Sequence, residues 1–436
     1  MEVSSSSMPV TSDRKVLVSF WFMGMLNNLS YVVMIAGAKD ISDGGTALVF
    51  LANILPTLAV KFTSPLWFHL VSYSNRIYCC ALFMTLSFFI VAFFASLRAI
   101  QGDDKMYGEL LGVACGSFGS GMGEATLLAF AGKVGGSPSI AAYASGTGVS
   151  GVVGYLYFVT LNDWMLLPFT TTITIGSSIG VAYGVVYLFL LGRYEDYEML
   201  ADVTTQSSTI TSKSDYSVSN DSSLESDDVV RVSNERNRGE SVFMEDRNIS
   251  QLSTVEKSRL VLSLWPFMVP LFSVYVAEYA MQSGAWAAIG FPVVDEKKRD
   301  LFYEYAGWAY QAGVLLSRSS GFFISAAVRT LWIITLLQII LLFFFITLAA
   351  SARGILYNWW LIVPCFVVGL LGGFVYVQSF QNISNLVPRK YVEFSLSSAS
   401  MADTFGIVAA DILGIFIQSC LYEINGLAGA VASCPF

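Results

Sequence analysis

Histidine is all but missing: His69 is the one imidazole in 436 residues, and none of the six cysteines (Cys79, Cys80, Cys115, Cys365, Cys420, Cys434) stands in a CxxC spacing. That scarcity excludes the usual zinc sites, and no cofactor or metal is expected. Charge is scarce too, at 13% of residues against 55% apolar ones. Soluble domains carry roughly a quarter charged residues, so a water-facing surface, a soluble enzyme and a nucleic-acid binder are all excluded. No cleavable signal peptide is expected either. The first 15 residues are polar, and the apolar run that follows is long enough to cross a bilayer and serve as an anchor.

What is present is a succession of apolar segments. A bilayer core of roughly 30 Å needs about 20 apolar residues per helix. By that measure spans are expected at 16–38, 45–70, 77–100, 106–132, 138–161 and 165–192, then at 260–283, 301–326, 328–350, 357–386 and 391–420. The expected fold is an all-α polytopic membrane protein of about 11 transmembrane helices, in two halves of six and five. Domain boundaries follow: a cytosolic tail 1–15, a six-helix half 16–192, a linker 193–259, a five-helix half 260–420 and a lumenal tail 421–436. The tail is short and rich in small residues, which places it at the membrane surface. Ten Lys/Arg flank the spans on the side of the N-terminus against seven on the other, so the N-terminus is expected in the cytosol and the C-terminus across the membrane.

The linker holds eight basic and 14 acidic residues, a net −6 that accounts for most of the chain's −8, together with 14 serines. Such a composition buries too little apolar surface to offset ordering entropy, and a disordered cytosolic linker is expected. Within it Tyr197 to Leu200 (YEML) fits a YxxΦ sorting signal that trafficking adaptors would read, and Ser212, Ser222 and Ser253 precede acids as phosphorylation sites do. Two halves around a long linker match carriers that rock about a midplane site.

Six ionisable residues fall inside apolar spans: Lys61, Glu124, Glu278, Arg318, Asp403 and Asp411. Charges at membrane depth are costly and face a cavity or one another. A shared polar cavity is therefore expected between the halves, with Tyr279, Tyr310 and Gln311 beside its charges; pairing among the charges with no ligand role is the alternative. Glycines crowd the stretch before Glu124 (GSFGSGMGE), either for close helix packing or to break the helix and turn its amides toward a substrate anion. GTGVSG (Gly146 to Gly151) matches a dinucleotide pattern only formally. No strand precedes it, and it is expected to be a packing face. Cys79 and Cys80 are expected as buried apolar residues rather than palmitoylation sites.

The strings NNLSYVVMIAGAKDI, ILPTLAVKFTSPLWFHLVSYSNRI, GSGMGEATLL, SGTG, YVAEYAMQSG, YQAGVLLSRSS, GGFVYVQSFQNI and EFSLSSASMADTFGI occur in this order between about residues 20 and 415. Together they resemble the battenin family, lysosomal and vacuolar membrane proteins affected in Batten disease. The resemblance implies a fold related to the major facilitator superfamily, residence in the lysosomal or vacuolar membrane, and a part in organelle pH and small-solute balance. Family members are linked to clearance of glycerophosphodiesters and to basic amino acid content. Two departures stand out. The C-terminal CaaX box of some animal members is absent, with Cys434 third from the end, and the loop after the second span reads FHLVSYSNRIY in place of the GxLaDrxGrkxxl common among major facilitators.

The expected function is alternating-access export of a small anionic or zwitterionic metabolite, a glycerophosphodiester first and a basic amino acid second. Lys61 and Arg318 would neutralise a phosphate, and Glu124, Glu278 or Asp403 would meet a cationic head group or carry a coupling proton. A non-transporting scaffold that recruits trafficking machinery through the linker is the alternative. An intramembrane enzyme fits poorly, because Asp403 and Asp411 lie on one helix rather than facing each other.

Overall fold

The computed structural model describes residues 14–37, 46–101, 106–191 and 252–430, with positions 41, 249 and 432–434. Six long helices come first: α1 (Arg14–Ala36), α2 (Thr46–Trp67), α3 (Tyr73–Gln101), α4 (Met106–Val134), α5 (Gly136–Phe158) and α6 (Phe169–Val186). The second series is α7 (Thr254–Ser263), α8 (Trp265–Ala280), α9 (Glu296–Ser319), α10 (Val328–Ser351), α11 (Ile362–Leu386), α12 (Arg389–Ala399) and α13 (Met401–Ile424). No strand occurs among the described residues.

Eight of the described helical segments are long and apolar enough to cross a membrane, and the bent pair α7 and α8, which meet at 63°, makes a ninth if it counts as one span. The eleven spans expected from the sequence correspond in position to these nine together with α4 and α9, neither of which meets the hydropathy criterion. The reason is composition. α4 is built from glycine, serine and alanine with Glu109, Glu124 and Lys133, and α9 begins with the charged turn EKKRD.

The helices pack as two groups. Within the first, α1 lies on α5, and α4 contacts both α2 and α3, while α6 covers α3. Within the second, α8 lies on α13 and α10, and α9 on α11. The groups meet where α5 contacts α9 and α11, where α4 contacts α12, and where α2 contacts α13. Small residues make these approaches possible, since without a hydrophobic drive between helices in lipid the backbones must come close to gain dispersion contacts. A Cβ at Gly121 of α4 would stand 2.8 Å from the Thr57 Cα of α2, and one at Gly148 of α5 would stand 3.1 Å from the Leu315 Cα of α9. Gly146, Gly148, Gly151 and Gly154 are thus the packing face expected of GTGVSG.

α2 carries two prolines, Pro56 and Pro65, one on either side of Lys61. Each removes an amide hydrogen from the helical ladder and frees the carbonyl four residues back. For Pro65 that carbonyl is the one of Lys61, and the Ser64 hydroxyl donates to it at 3.0 Å.

Two boundaries differ from those expected, and one open alternative is decided. Residues 254–259, assigned to a disordered linker, open α7, because Ser253 and Glu256 form a reciprocal capping box that satisfies the first free amides. At the other end α13 runs on to Ile424, and Cys420 is disulfide-bonded to Cys434, so the final segment is tied back to its helix and is not a loose tail. The glycine-rich stretch before Glu124 lies in an unbroken helix and not at a break, with its glycines against Thr57 and Asn27. Cys80 is buried and Cys79 half-buried, as expected of packing residues. Tyr197, Leu200, Ser212, Ser222 and most of the expected linker lie outside the described residues.

Candidate functional site

A cavity of about 70 Å3 lies where the two groups meet. Its walls come from α1 (Asn27, Asn28, Tyr31), α2 (Thr57, Lys61), α4 (Ser120, Gly121, Glu124), α5 (Tyr143, Thr147), α8 (Tyr275, Tyr279), α9 (Arg318), α11 (Tyr376) and α13 (Asp403, Thr404). Both helix groups therefore contribute to one polar chamber.

Lys61 points into the chamber with 1% of its side chain exposed. Its Nζ stands 2.8 Å from Glu124 Oε2 and 3.1 Å from Asp403 Oδ1. The ammonium thus bridges α4 of the first group and α13 of the second. Asp403 Oδ1 also accepts from the Thr404 amide at 2.6 Å and the Thr404 hydroxyl at 2.9 Å, which fixes its rotamer at the helix start. Glu124 Oε1 accepts a hydrogen bond from the Tyr376 hydroxyl at 2.9 Å.

Arg318 sits in a different environment. It donates to the Thr147 hydroxyl at 2.6 Å and to the Tyr275 hydroxyl at 3.1 Å, and its guanidinium carbon lies 4.2 Å from the centre of the Tyr376 ring. Its buried Nε has no hydrogen-bond partner among the described residues. Gly373 leaves room for its stem, since a Cβ there would stand 3.2 Å from Arg318 Cγ.

Four of the six expected charges line the chamber: Lys61, Glu124, Arg318 and Asp403. Glu278 and Tyr310 do not. They bind each other, the Tyr310 hydroxyl donating to Glu278 Oε1, while Glu278 Oε2 is buried against Gly372 without a hydrogen-bond partner among the described residues. Tyr279 does line the chamber, whereas Gln311 packs against Gly151 in the contact of α9 with α5. Asp411 lies two turns beyond Asp403 on α13, off the chamber wall. Sequence reasoning had not singled out Asn27, Asn28, Thr147, Tyr275 or Tyr376. The signal was in plain view as polar side chains inside apolar strings, but it carried no charge.

The groups are also joined away from the chamber. Arg76, at the start of α3 and inside the loop sequence that departs from major facilitators, pairs with Glu393 of α12 at 2.9 Å. Its guanidinium lies over the rings of Phe68 and Tyr73, 4.5 and 4.3 Å from their centres. The Gln381 amide of α11 also donates to the carbonyls of Ser137 and Gly321, at 3.1 and 2.9 Å.

Comparison with known proteins agrees with this architecture. Protein btn-1 of Neurospora crassa is 30% identical over 434 residues, covering 95% of this chain and 89% of that protein. Protein BTN1 of Chaetomium globosum is 31% identical, covering 96% and 91%, and Protein BTN1 of Saccharomyces cerevisiae 29%, covering 94% and 96%. Among solved structures the crystal structure of FucP, a major facilitator superfamily transporter, in the outward conformation superimposes with a TM-score of 0.52 at 12% identity, over 97% of this chain and 94% of that one. The fold is that of major facilitator transporters, in a multi-pass membrane protein. The family model for the CLN3 protein matches residues 18–424, and the chain therefore belongs to the CLN3, or battenin, family.

Proposed function

We propose that the protein is an alternating-access carrier of the lysosomal or vacuolar membrane, exporting a small anionic or zwitterionic metabolite and so supporting the organelle's pH and solute balance. One observation carries the reading: Lys61 and Arg318, from opposite helix groups, face one chamber between them. Charges at membrane depth face a cavity or pair with one another; Lys61 does both, and Arg318 faces the same chamber with hydroxyl and ring partners. A glycerophosphodiester is the substrate that fits best, its phosphate oxygens answering fixed cations, and a basic amino acid is the second. Glu124 and Asp403, with Glu278 and Tyr310 one layer behind, are the acids available to a cationic head group or a coupling proton.

Eleven spans in halves of six and five, with the N-terminus in the cytosol and the C-terminus in the lumen, remain the proposed topology. The Cys420–Cys434 disulfide supports it, because such bonds persist in oxidising compartments and not in the cytosol. Arg76 and Glu393 then close the cytosolic side. Lipids bathe the outer faces, and the linker signal Tyr197 to Leu200 would engage trafficking adaptors.

The test is efflux from proteoliposomes loaded with labelled glycerophosphodiester. Wild type should empty them, and Arg318→Ala should slow efflux at least about tenfold, the loss expected for a hydrogen-bonded charge partner. Equal retention by protein-free vesicles, wild type and variant would end the carrier reading.

A further inference from the structure

Where the chain enters the second helix group it does so sideways. α7 (Thr254–Ser263) meets α8 at 63°, so it turns off the axis of the span instead of prolonging it. The bend lies beside Trp265 of α8 and Trp332 of α10, whose rings pack edge to face with 5.9 Å between centres. Tryptophan collects where head groups give way to acyl chains, which sets the bend at that level. α7 buries none of its residues. One side, with Glu256, Lys257, Leu260 and Val261, is half-buried, and the helix contacts α8 and α12. The other side is exposed and carries Val255 and Leu262, each 70% exposed. At about 100° per residue these two fall on one line with Trp265, Val269 and Phe272 of α8, which are exposed as well. On α8 that stripe faces acyl chains, and α7 carries it round the bend. The linker that runs into α7 is acidic and serine-rich, with few large apolar side chains to offer as a cover.

We propose that α7 is a surface anchor whose partner is the lipid leaflet: it lies along the bilayer with Val255, Leu262 and Trp265 seated at the acyl boundary and Arg259, at the edge of the stripe, among the head groups. In the proposed topology this is the cytosolic leaflet. The seat fixes the point at which the linker joins the second group, beside α12, whose Glu393 holds Arg76 of the first. The capping box lets the anchor begin where the linker ends. The Ser253 amide donates to Glu256 Oε2 at 2.8 Å and the Glu256 amide to Ser253 Oγ at 3.3 Å, so two amides of the first turn are satisfied without water. The anchor is independent of what the chamber carries.

The experiment is nitroxide accessibility in the full chain reconstituted into phosphatidylcholine vesicles. Labels on Val255→Cys and Leu262→Cys are compared with one on Val269→Cys, on the stripe of α8, and one on Ser263→Cys, exposed but off the stripe. The parent chain, treated in the same way, supplies the baseline from its free cysteines. Oxygen concentrates in the acyl layer and a nickel chelate stays in water. At 255 and 262 the ratio of oxygen to chelate access should stand about fivefold or more above that at 263 and approach that at 269. Leu262→Glu puts a charge into the seat and should bring the ratio at 255 down to that at 263. Equal ratios at 255, 262 and 263 would place the stripe in water. Access to neither reagent at 255 and 262 would place protein over it, whether the linker or a second copy of the chain. A label at 255 unmoved by Leu262→Glu would mean that there is no seat to leave. Each of these three results overturns the proposal.

Discussion

Helices α4 and α10 are built on opposite terms. α10 (Val328–Ser351) has no glycine, only five buried residues and a surface of leucine, isoleucine and phenylalanine. α4 (Met106–Val134) buries 18 residues, six of them glycine, and carries Glu124 into the chamber. The bilayer solvates α10, so every apolar side chain is at home facing outward. Protein solvates α4, so close approach decides its composition and hydropathy falls. α9, which carries Arg318, shares that fate. Hydropathy is thus low in two helices that carry the candidate chemistry, and the most apolar of the eight apolar spans is also the least buried of them.

The sharpest way to press this contrast is to remove the cation at its centre. Lys61→Ala leaves Glu124 and Asp403 facing each other in a buried site, and should cost about 3–5 kcal/mol in thermal unfolding measured in detergent. Adding Asp403→Asn should restore a good part of that loss, because one of the two stranded charges disappears. Gly121→Leu should cost less, about 1–3 kcal/mol, since its Cβ would press on the Thr57 backbone and force α4 from α2. Arg76→Ala comes next, at about 1 kcal/mol, because Glu393 is 27% exposed and water replaces its partner. Ile340→Ala on α10, at a position 54% exposed, should stay within about 0.5 kcal/mol. A cost there equal to that of Gly121→Leu would dissolve the contrast between the two helices.

Much of the fold was legible because each apolar stretch of about 20 residues has one physical use in a bilayer. Segment positions agree with the helices to within a few residues in the first group, as with 16–38 against Arg14–Ala36 and 106–132 against Met106–Val134. What sequence could not provide was contact. Lys61 and Asp403 stand 342 residues apart, and no local pattern pairs them. The four charges of the chamber were found because charge in an apolar run is conspicuous. Tyr275, Thr147 and Tyr376 were passed over because a neutral polar residue in such a run is ordinary. Glu278 went the other way: its charge drew attention, yet its partner is a tyrosine behind the wall. The disulfide escaped for the same reason as the ion pairs, since it depends on a chain reversal after Ile424 that composition does not announce.

The prolines of α2 have a mechanical meaning. A helix resists bending because curvature stretches its ladder of amide bonds, and at Pro56 and Pro65 those rungs do not exist. The strut that holds the lysine is therefore compliant on both sides of it, and the serine that already serves the Lys61 carbonyl can follow the motion. When one bundle tilts against the other, this strut can flex around its own ammonium group without any further backbone bond having to break.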